Sequence, residues 1–261
     1  MKTKPGFKSI PLSFNRKAVI ASASVTSRIC AIHSIAEIDV SEPRRLIREQ
    51  EESTGVKLSF TGYLAACLSR TVKEFPEFNS FIRGNRLIIM DDLTVSVMVE
   101  REIRGEKVPE PVGIKKADEK SVMEITNELR AAQQPKEQGL GELSGLAWIR
   151  FIPRFLMETM VRIADRSIRM AARYGKVAVT SPGMFARGAL WFIPHGSATV
   201  MLTVGSIHRM PVETEQGPEF REHLCITASF DHAVVDGAPA ARFMDSFMGK
   251  VKSGDLISEA L

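Results

Sequence analysis

The stretch Phe230-Asp231-His232-Ala233-Val234-Val235-Asp236-Gly237 is the part of the sequence that decides the fold. Its kernel is H-x-x-x-D-G, and His232 stands at the end of an apolar run that begins at Leu224. The run predicts a strand over 224–230, and the Asp-Gly pair that follows predicts a turn. A histidine held at such a junction is suited to general acid–base chemistry, because it exchanges a proton near neutral pH. The motif alone leaves open a second interpretation, a core histidine beside a turn aspartate.

The composition is that of an ordinary globular protein. The 261 residues are 44% hydrophobic and 25% charged, so a sizeable core can be buried and one large domain is expected. Thirty-five basic residues oppose 31 acidic residues, which leaves a net charge of +4. This mild excess, with interleaved signs, does not predict a nucleic-acid partner, although it suits an anionic ligand such as a phosphorylated cofactor.

The three cysteines, Cys30, Cys67 and Cys225, lie far apart in the sequence. Without a C-x-x-C or Cys/His cluster, neither a zinc site nor a disulfide scaffold is predicted, and we expect reduced core thiols in a cytoplasmic protein. The first eight residues are basic and lack the apolar core of a signal peptide. The longest uncharged stretch, 188–208, is interrupted by glycine and proline, which favours strands and a turn over a membrane helix.

Helical and strand periodicities are mixed along the chain without a regular β-α-β alternation. This pattern predicts one mixed α/β domain over residues 1–261. Helices are predicted in 1–30, after Ser41 as far as Gly55, and over 61–75, 118–133 and 239–250. Strands are predicted over 32–40, 93–99, 177–180, 199–204 and 224–230, with a hairpin in 81–90.

The segment 148–174 is unusual because it combines an apolar helical face with six arginines. The apolar positions are Ile149, Ile152, Leu156, Met160, Ile163 and Met170. So many arginines argue against a membrane span, and we expect the face to pack on the domain or on a partner subunit. A basic amphipathic helix on a membrane surface is the alternative.

A second candidate site is Thr180-Ser181-Pro182-Gly183. Two hydroxyls stand at the end of a predicted strand, just before a Pro-Gly turn, and a hydroxyl in that position can donate to a developing oxyanion. The alternative interpretation is ordinary turn chemistry.

Together the two motifs resemble the catalytic domain of the dihydrolipoamide acyltransferases, the core component of 2-oxoacid dehydrogenase complexes. That family typically has S-F-D-H-R-V-V-D-G-A where this chain has residues 229–238, and S-N-x-G-M-F where it has 180–185. Weaker matches lie at Arg16-Lys17, 76–79, 91–97 and 117–121, in the right order over about 8–250. The related chloramphenicol acetyltransferases usually have His-His at the motif, where this chain has Asp231-His232. The resemblance implies an α/β fold, a chloramphenicol acetyltransferase-like mixed sheet flanked by helices.

The resemblance also assigns roles to residues. It implies that His232 is the general base on the acceptor thiol and that Thr180 donates to the oxyanion, with Ser181 as the competing donor. Asp236 would act as a brace, paired with Arg16 and buried, and would not exchange protons. Asp231, Gly183 and Gly237 support the two motifs.

The same resemblance implies coenzyme A as cosubstrate, no metal, and no covalently bound lipoate on this chain. It implies a homotrimer with active sites at the subunit interfaces, a larger assembly built from it, and a separate lipoyl protein as partner; a membrane surface is not expected. Two departures stand out: Ala233 replaces the family arginine, and an amphipathic helical segment at about 146–174 replaces a shorter link. These departures keep two alternatives open, a catalytically silent scaffold and a membrane- or partner-binding module.

Overall fold

The computed structural model describes residues 6–103, 106–134 and 153–258. The helices are α1 (Phe14–Thr26), α2 (Ser41–Thr54), α3 (Phe60–Glu74), α4 (Val122–Gln133), α5 (Arg154–Asp165), α6 (Ile168–Tyr174), α7 (Gly237–Ser253) and α8 (Asp255–Ser258). The strands are β1 (Ala31–Asp39), β2 (Ser80–Arg83), β3 (Arg86–Ile89), β4 (Thr94–Ile103), β5 (Glu106–Lys115), β6 (Val177–Thr180), β7 (Val200–Thr214) and β8 (Gly217–Asp231). Short 3₁₀ turns cover Pro76–Phe78 and Pro182–Phe185.

A six-stranded mixed sheet in the order β1-β8-β7-β6-β4-β5 organises the domain. The strands β4, β6 and β7 are parallel neighbours, and the remaining pairs are antiparallel. The small hairpin β2-β3 forms a separate sheet. The mixed α/β class predicted from the sequence is therefore confirmed.

One face of the sheet carries the hydrophobic core. Alternate strand residues such as Val95, Val97, Val177 and Val179 are buried there, beneath α3, α4 and α7. Phe243 of α7 stacks on Phe78 with ring centroids 4.5 Å apart. Because each such aromatic side chain contributes roughly 1.5–3 kcal/mol on burial, this cluster ties α7 firmly to the sheet beside the H-x-x-x-D-G turn.

The opposite face, called here the second face, is more polar. Period-two alternation places Ser96, Ala178 and Met201 side by side in one row across β4, β6 and β7. The segment 186–199 runs over this face: the Leu190 N–H donates to Ser206 Oγ (2.8 Å), and the Trp191 Nε1–H donates to the Ala36 carbonyl at β1 (3.1 Å). The second face is therefore covered by this connection and, at β4 and β5, by α6, whose Ala172 carbonyl accepts from the Thr94 hydroxyl.

Several predicted elements differ from those observed. Strands β7 and β8 form one long hairpin over 200–231, more than twice the predicted strand lengths, with a register shift between Val204 and Ile207. Strand β5 was not predicted, because Pro109 and Pro111 disguise its alternation. Ser41 is the first residue of α2 and not its cap. Cys30 is exposed, so the prediction that all three cysteines are core residues is wrong for Cys30.

Part of the unusual segment forms α5 and α6. In the single chain α5 packs against α1, yet Phe155, Met160 and Ile163 are more than half exposed, and Met157 is its buried residue. The face with Met160 and Ile163 is therefore not buried by this domain in the single chain, and its packing on a partner subunit stays a prediction. Ile149 and Ile152 lie outside the described residues. In the described part of the chain, no helix has the length and apolarity needed to cross a bilayer.

Candidate active site

His232 is held by a tight turn at the end of β8. Its backbone N–H donates to the Cys30 carbonyl (2.8 Å), which ties the turn to the start of β1. The Asp231 carboxylate accepts from the Ala233 N–H (3.0 Å), and the Asp231 carbonyl accepts from the N–H groups of Val234 and Val235 (2.9 Å each). Asp231 thus supports the motif by capping the turn that presents His232.

The tautomer of His232 follows from its partner. Nδ1 lies 3.0 Å from the Val235 carbonyl oxygen. Since a carbonyl can only accept, Nδ1 carries the hydrogen and donates it. In the neutral imidazole Nε2 then carries the lone pair, and the side chain, 43% exposed, can offer it to a ligand. This is the state that a general base requires.

Asp236 lies beside His232 and is not buried. Its Oδ1 is 3.8 Å from His232 Nδ1, beyond hydrogen-bond distance, and its side chain is 84% exposed. Among the ion pairs between described residues, none joins Asp236 to Arg16, which lies exposed on α1. The expected burial of Asp236 is wrong for the single chain, and its pairing with Arg16 stays a prediction.

Thr180 is the last residue of β6, in register with Thr203 of β7. Val177 and Val179 point to the core, so Thr180 belongs to the second face together with Ala178. Ser181 directly precedes the 3₁₀ turn that begins at Pro182. Both candidate hydroxyls thus lie at the carboxyl end of a central parallel strand, and both are partly exposed.

The two glycines of the motifs, Gly183 and Gly237, differ in the space that a side chain would find. A Cβ on Gly183 would stand 1.9 Å from the backbone carbonyl carbon and oxygen of Gly205, so the turn after Thr180 can touch β7 only without a side chain. A Cβ on Gly237 would meet no atom within 4 Å. Gly183 is therefore a packing requirement, and Gly237 is not one in the single chain.

Thr180 lines two cavities. The larger, of about 870 Å³, also contacts Ser59, Glu100, Arg130 and Ser181. The smaller, of about 330 Å³, lies on the second face between β4, β6, β7 and the covering segment. A substrate bound at Thr180 can therefore extend in two directions.

Within one chain, His232 and Thr180 lie at opposite ends of the sheet. The Asp231 N–H donates to the Thr199 carbonyl just before β7, whereas Thr180 pairs with Thr203, four residues further along that strand. Two strand spacings also separate β8 from β6. At ~3.3 Å per residue and ~4.8 Å per strand, the two residues are about 15 Å apart. The same chain therefore does not bring both side chains to one reacting atom.

The family model for the catalytic domain of 2-oxoacid dehydrogenase acyltransferases matches residues 4–145 and 164–257 of this sequence. The chain belongs to this family. The match omits residues 146–163, which lie inside the segment predicted as an insertion. Both candidate motifs of this acyltransferase domain lie within the matched ranges.

Curated relatives agree with this assignment. The lipoamide acyltransferase component of the branched-chain alpha-keto acid dehydrogenase complex of Bacillus subtilis is 27% identical over 95% of this chain and 52% of its own length. The dihydrolipoyllysine-residue succinyltransferase component of the 2-oxoglutarate dehydrogenase complex of Staphylococcus saprophyticus is 23% identical over 94% and 51%. The acyltransferase domain thus spans about half the length of the curated relatives it matches.

Solved structures share the fold of this acyltransferase domain. A probable dihydrolipoamide acetyltransferase from Listeria monocytogenes superimposes with a TM-score of 0.68, at 24% identity and 95% coverage of both chains. The cubic core of the pyruvate dehydrogenase multienzyme complex gives 0.70 at 19% identity, covering 97% of this chain and 94% of its own. A chloramphenicol acetyltransferase gives 0.51 at 16% identity, covering 89% and 92%. The expected chloramphenicol acetyltransferase-like fold is therefore confirmed.

Sequence reasoning did not single out the residues around the smaller cavity. Tyr174, His195 and Met201 line it together with Thr180, although they are distant in sequence. The available signal was the long uncharged stretch 188–208, which supplies both the covering segment and the start of β7. Only the pairing of β6 with β4 and β7 reveals that these residues are neighbours.

The fold also brings together three potential metal-ligand side chains that the sequence spacing does not suggest. Ligand atoms of Glu37, His208 and Cys225 lie within 4.8 Å of one another on the second face. Cys225 Sγ is 3.6 Å from His208 Nδ1. Burial raises the pKa of the Cys225 thiol, which disfavours the thiolate that a metal ion would bind. The group is separate from His232 and Thr180 in the sheet register.

Proposed function

We propose that this domain is a coenzyme A-dependent acyltransferase that moves an acyl group between coenzyme A and a dihydrolipoamide-like thiol. Membership of the acyltransferase family supports the reaction class. The single observation that carries the mechanism is the hydrogen bond from His232 Nδ1 to the Val235 carbonyl, which leaves Nε2 free as a base.

In the proposed reaction His232 Nε2 takes the proton from the acceptor thiol. The thiolate attacks the thioester carbonyl carbon, and a new carbon–sulfur bond forms while the carbonyl oxygen becomes an oxyanion. The Thr180 hydroxyl donates to that oxyanion, a type of contact worth about 3–4 kcal/mol. When the intermediate collapses, the bond to the donor sulfur breaks and the departing thiolate recovers the proton from His232. No net proton is gained or lost, and none of these steps calls for a metal.

The arrangement of the two side chains supports a site shared between chains. Because His232 and Thr180 lie about 15 Å apart within one chain on strand geometry, we propose that His232 of one chain meets Thr180 of its neighbour in a homotrimer, with larger assemblies built from trimers. Closed cyclic symmetry then repeats the same half-sites around the ring. The cubic core among the structural neighbours supports the assembly but does not fix its size here.

Mixed trimers test both proposals at once. Chains carrying His232→Ala and chains carrying Thr180→Ala are each expected to have little activity when assembled alone. Co-assembled at equal ratio, about a quarter of the interfaces combine an intact histidine with an intact threonine, so roughly a quarter of wild-type activity should return. Recovery no greater than that of the separate variants would contradict the shared site.

We further propose that a separate lipoyl protein presents the acceptor thiol and that the protein works in the cytoplasm, with no lipoate on this chain. The cysteines support a reducing compartment: all three are free, and Cys30 is exposed. Free dihydrolipoamide should then serve as acceptor in vitro, and transfer should be faster to a lipoylated protein domain than to the free thiol. Equal rates with both acceptors would argue against a protein carrier.

The helix α5 supports a second candidate function, a membrane- or partner-binding module. Phe155, Met160 and Ile163 are exposed on a helix that also carries Arg154 and Arg162. Flotation with anionic liposomes, comparing the wild type with a Phe155→Ser, Ile163→Ser variant, tests this function independently of acyl transfer. If the wild type floats with the liposomes and the double substitution abolishes flotation, the module is supported. If the wild type does not float, its membrane form is excluded.

A further inference from the structure

We infer that the 330 Å³ cavity beside Thr180 is the acyl-chain site and that it selects an uncharged aliphatic acyl group over a dicarboxylic one. This inference rests on the proposed function, because it assumes that Thr180 holds the carbonyl oxygen of the substrate. It adds the chemical class of the acyl group, which neither the two motifs nor the family match determines.

The sheet register places the cavity where an acyl chain would extend. Ala178 is flanked by Ser96 on β4 and Met201 on β7 in the same row of the second face. Thr180 is two residues further along β6 on that face, so the two side chains are about 7 Å apart. An acyl chain whose carbonyl oxygen accepts from Thr180 therefore reaches Ala178 with its third or fourth carbon.

The lining of the smaller cavity is largely apolar. Met98, Met201, Ala178, Ala198 and Pro194 form its apolar walls. Besides Thr180, the polar side chains of the described lining are Ser96, Tyr174, His195 and Ser197. No lysine or arginine side chain belongs to the described lining. A terminal carboxylate would lose water there without gaining a lysine or arginine partner, which is costly. An aliphatic end gives up no hydrogen bonds to water and gains contacts with the flexible side chains of Met98 and Met201.

The larger cavity on the other side of Thr180 has a different lining. Glu100, Arg130, Gln133 and several hydroxyl groups line it, and its volume is about 870 Å³. This wider opening also has apolar walls, but its charged and amide side chains suit the long amide-containing arm of a coenzyme or carrier better than they suit an acyl chain. The contrast between the two linings assigns the smaller cavity to the acyl group.

Ala178 offers a direct test because its small side chain leaves the space open. Relative kcat/KM should be measured with acetyl-, isovaleryl-, hexanoyl- and succinyl-CoA, with dihydrolipoamide as acceptor. The wild type should use isovaleryl-CoA at least tenfold better than acetyl-CoA and about a hundredfold better than succinyl-CoA. Ala178→Leu should lower kcat/KM for isovaleryl- and hexanoyl-CoA tenfold or more relative to kcat/KM for acetyl-CoA.

Ala241→Leu, the same exchange on the exposed side of α7, is the matched control and should leave the ranking unchanged. A urea-denaturation midpoint close to that of the wild type shows that the Ala178→Leu variant is folded. Ala178→Val, a smaller enlargement, should give an intermediate selectivity if the leucine variant does not fold. Preference for succinyl-CoA in the wild type, or an Ala178→Leu ranking equal to that of the wild type, overturns the inference.

Binding without turnover separates this inference from the proposed function. His232→Ala should bind isovaleryl-CoA at least tenfold more tightly than free coenzyme A in calorimetry, and Ala178→Leu in the same background should remove that difference. If the difference is present but the wild type releases no coenzyme A with any donor, the acyl site stands and the transferase proposal fails. If His232→Ala binds both ligands equally, the acyl site fails whatever the turnover.

Discussion

The two ends of the six-stranded sheet are built in different ways. At one end, His232 donates to the carbonyl oxygens of Cys30 and Val235, and further hydrogen bonds within residues 231–235 close the turn that holds it. At the other end, Thr180 owes its surroundings to β4, β7 and the covering segment, which come from distant parts of the sequence. The half-site at His232 is therefore built from residues close in sequence, whereas the half-site at Thr180 is built from strands that are distant in sequence.

This difference explains why the two motifs are so unequal as sequence signals. H-x-x-x-D-G contains its own turn, and the tautomer of His232 is fixed by a carbonyl three residues away. Thr-Ser-Pro-Gly contains two hydroxyls and a turn. Apart from Thr180, Ser181 and Pro182, the residues that line the two cavities come from other parts of the sequence. Substitutions at the two ends should therefore differ in their effects on activity and on the free energy of unfolding.

The largest expected effect is at the His232 end. His232→Gln removes the base and should lower kcat for acyl transfer by about 10²–10⁴. The turn that holds the residue is backbone-bonded, so the free energy of unfolding should change little. Steady-state coenzyme A release measures the loss, and His208→Gln on the second face is the matched histidine control. A variant that transfers acyl groups at the wild-type rate would refute the role of His232.

A smaller loss of activity is expected at the Thr180 end. Thr180→Val keeps the shape but removes the donor, and it should lower kcat by about 10²–10³. Thr180→Ser retains a hydroxyl and should remain within roughly tenfold of wild type, while Ser181→Ala should remain within about threefold. Single-turnover rates at saturating acyl-CoA test these values. The opposite order, with Ser181→Ala the more damaging, would make Ser181 the oxyanion donor.

Alanine substitutions at the two motif glycines, Gly183 and Gly237, should differ in their effect on the free energy of unfolding. Gly183→Ala forces a Cβ into the Gly205 backbone and should cost about 2–3 kcal/mol of unfolding free energy, measured by urea denaturation. Gly237→Ala enters open space at the start of α7 and should change it by no more than about 0.5 kcal/mol. Equal losses at both positions would mean that the His232 end is also close-packed, for instance against a neighbouring chain.

The smallest effect is expected between Asp236 and Arg16. Because Asp236 is 84% exposed and the two are not an ion pair in the single chain, a double-mutant cycle with alanine should give a coupling of no more than about 0.5 kcal/mol in unfolding free energy. Global denaturation of the assembled protein is the measurement. A coupling well above that value would indicate that Arg16 and Asp236 pair, as the family resemblance implies.

Local pattern predicted much of what the structure contains. The amphipathic helix at 61–75 corresponds to α3, and the hairpin around Gly84 and the strand 177–180 were also predicted. The start of α4 could have been placed better, since Ser121 and Glu124 form a capping box that the sequence displays as S-x-x-E. Strand β5 was missed because its prolines break the usual alternation, although its ladder with β4 tolerates them at the sheet edge.

The sequence by itself determined the residues that work through near neighbours: the strand before His232, the turn capped by Asp231, and the helix after Gly237. Only the tertiary structure decided that His232 and Thr180 lie at opposite ends of one sheet and that Asp236 is exposed. The same holds for the cavity between Ala178 and Met201. The physical reason is that a turn is closed by hydrogen bonds over a few residues, whereas strand order depends on which distant apolar faces bury each other.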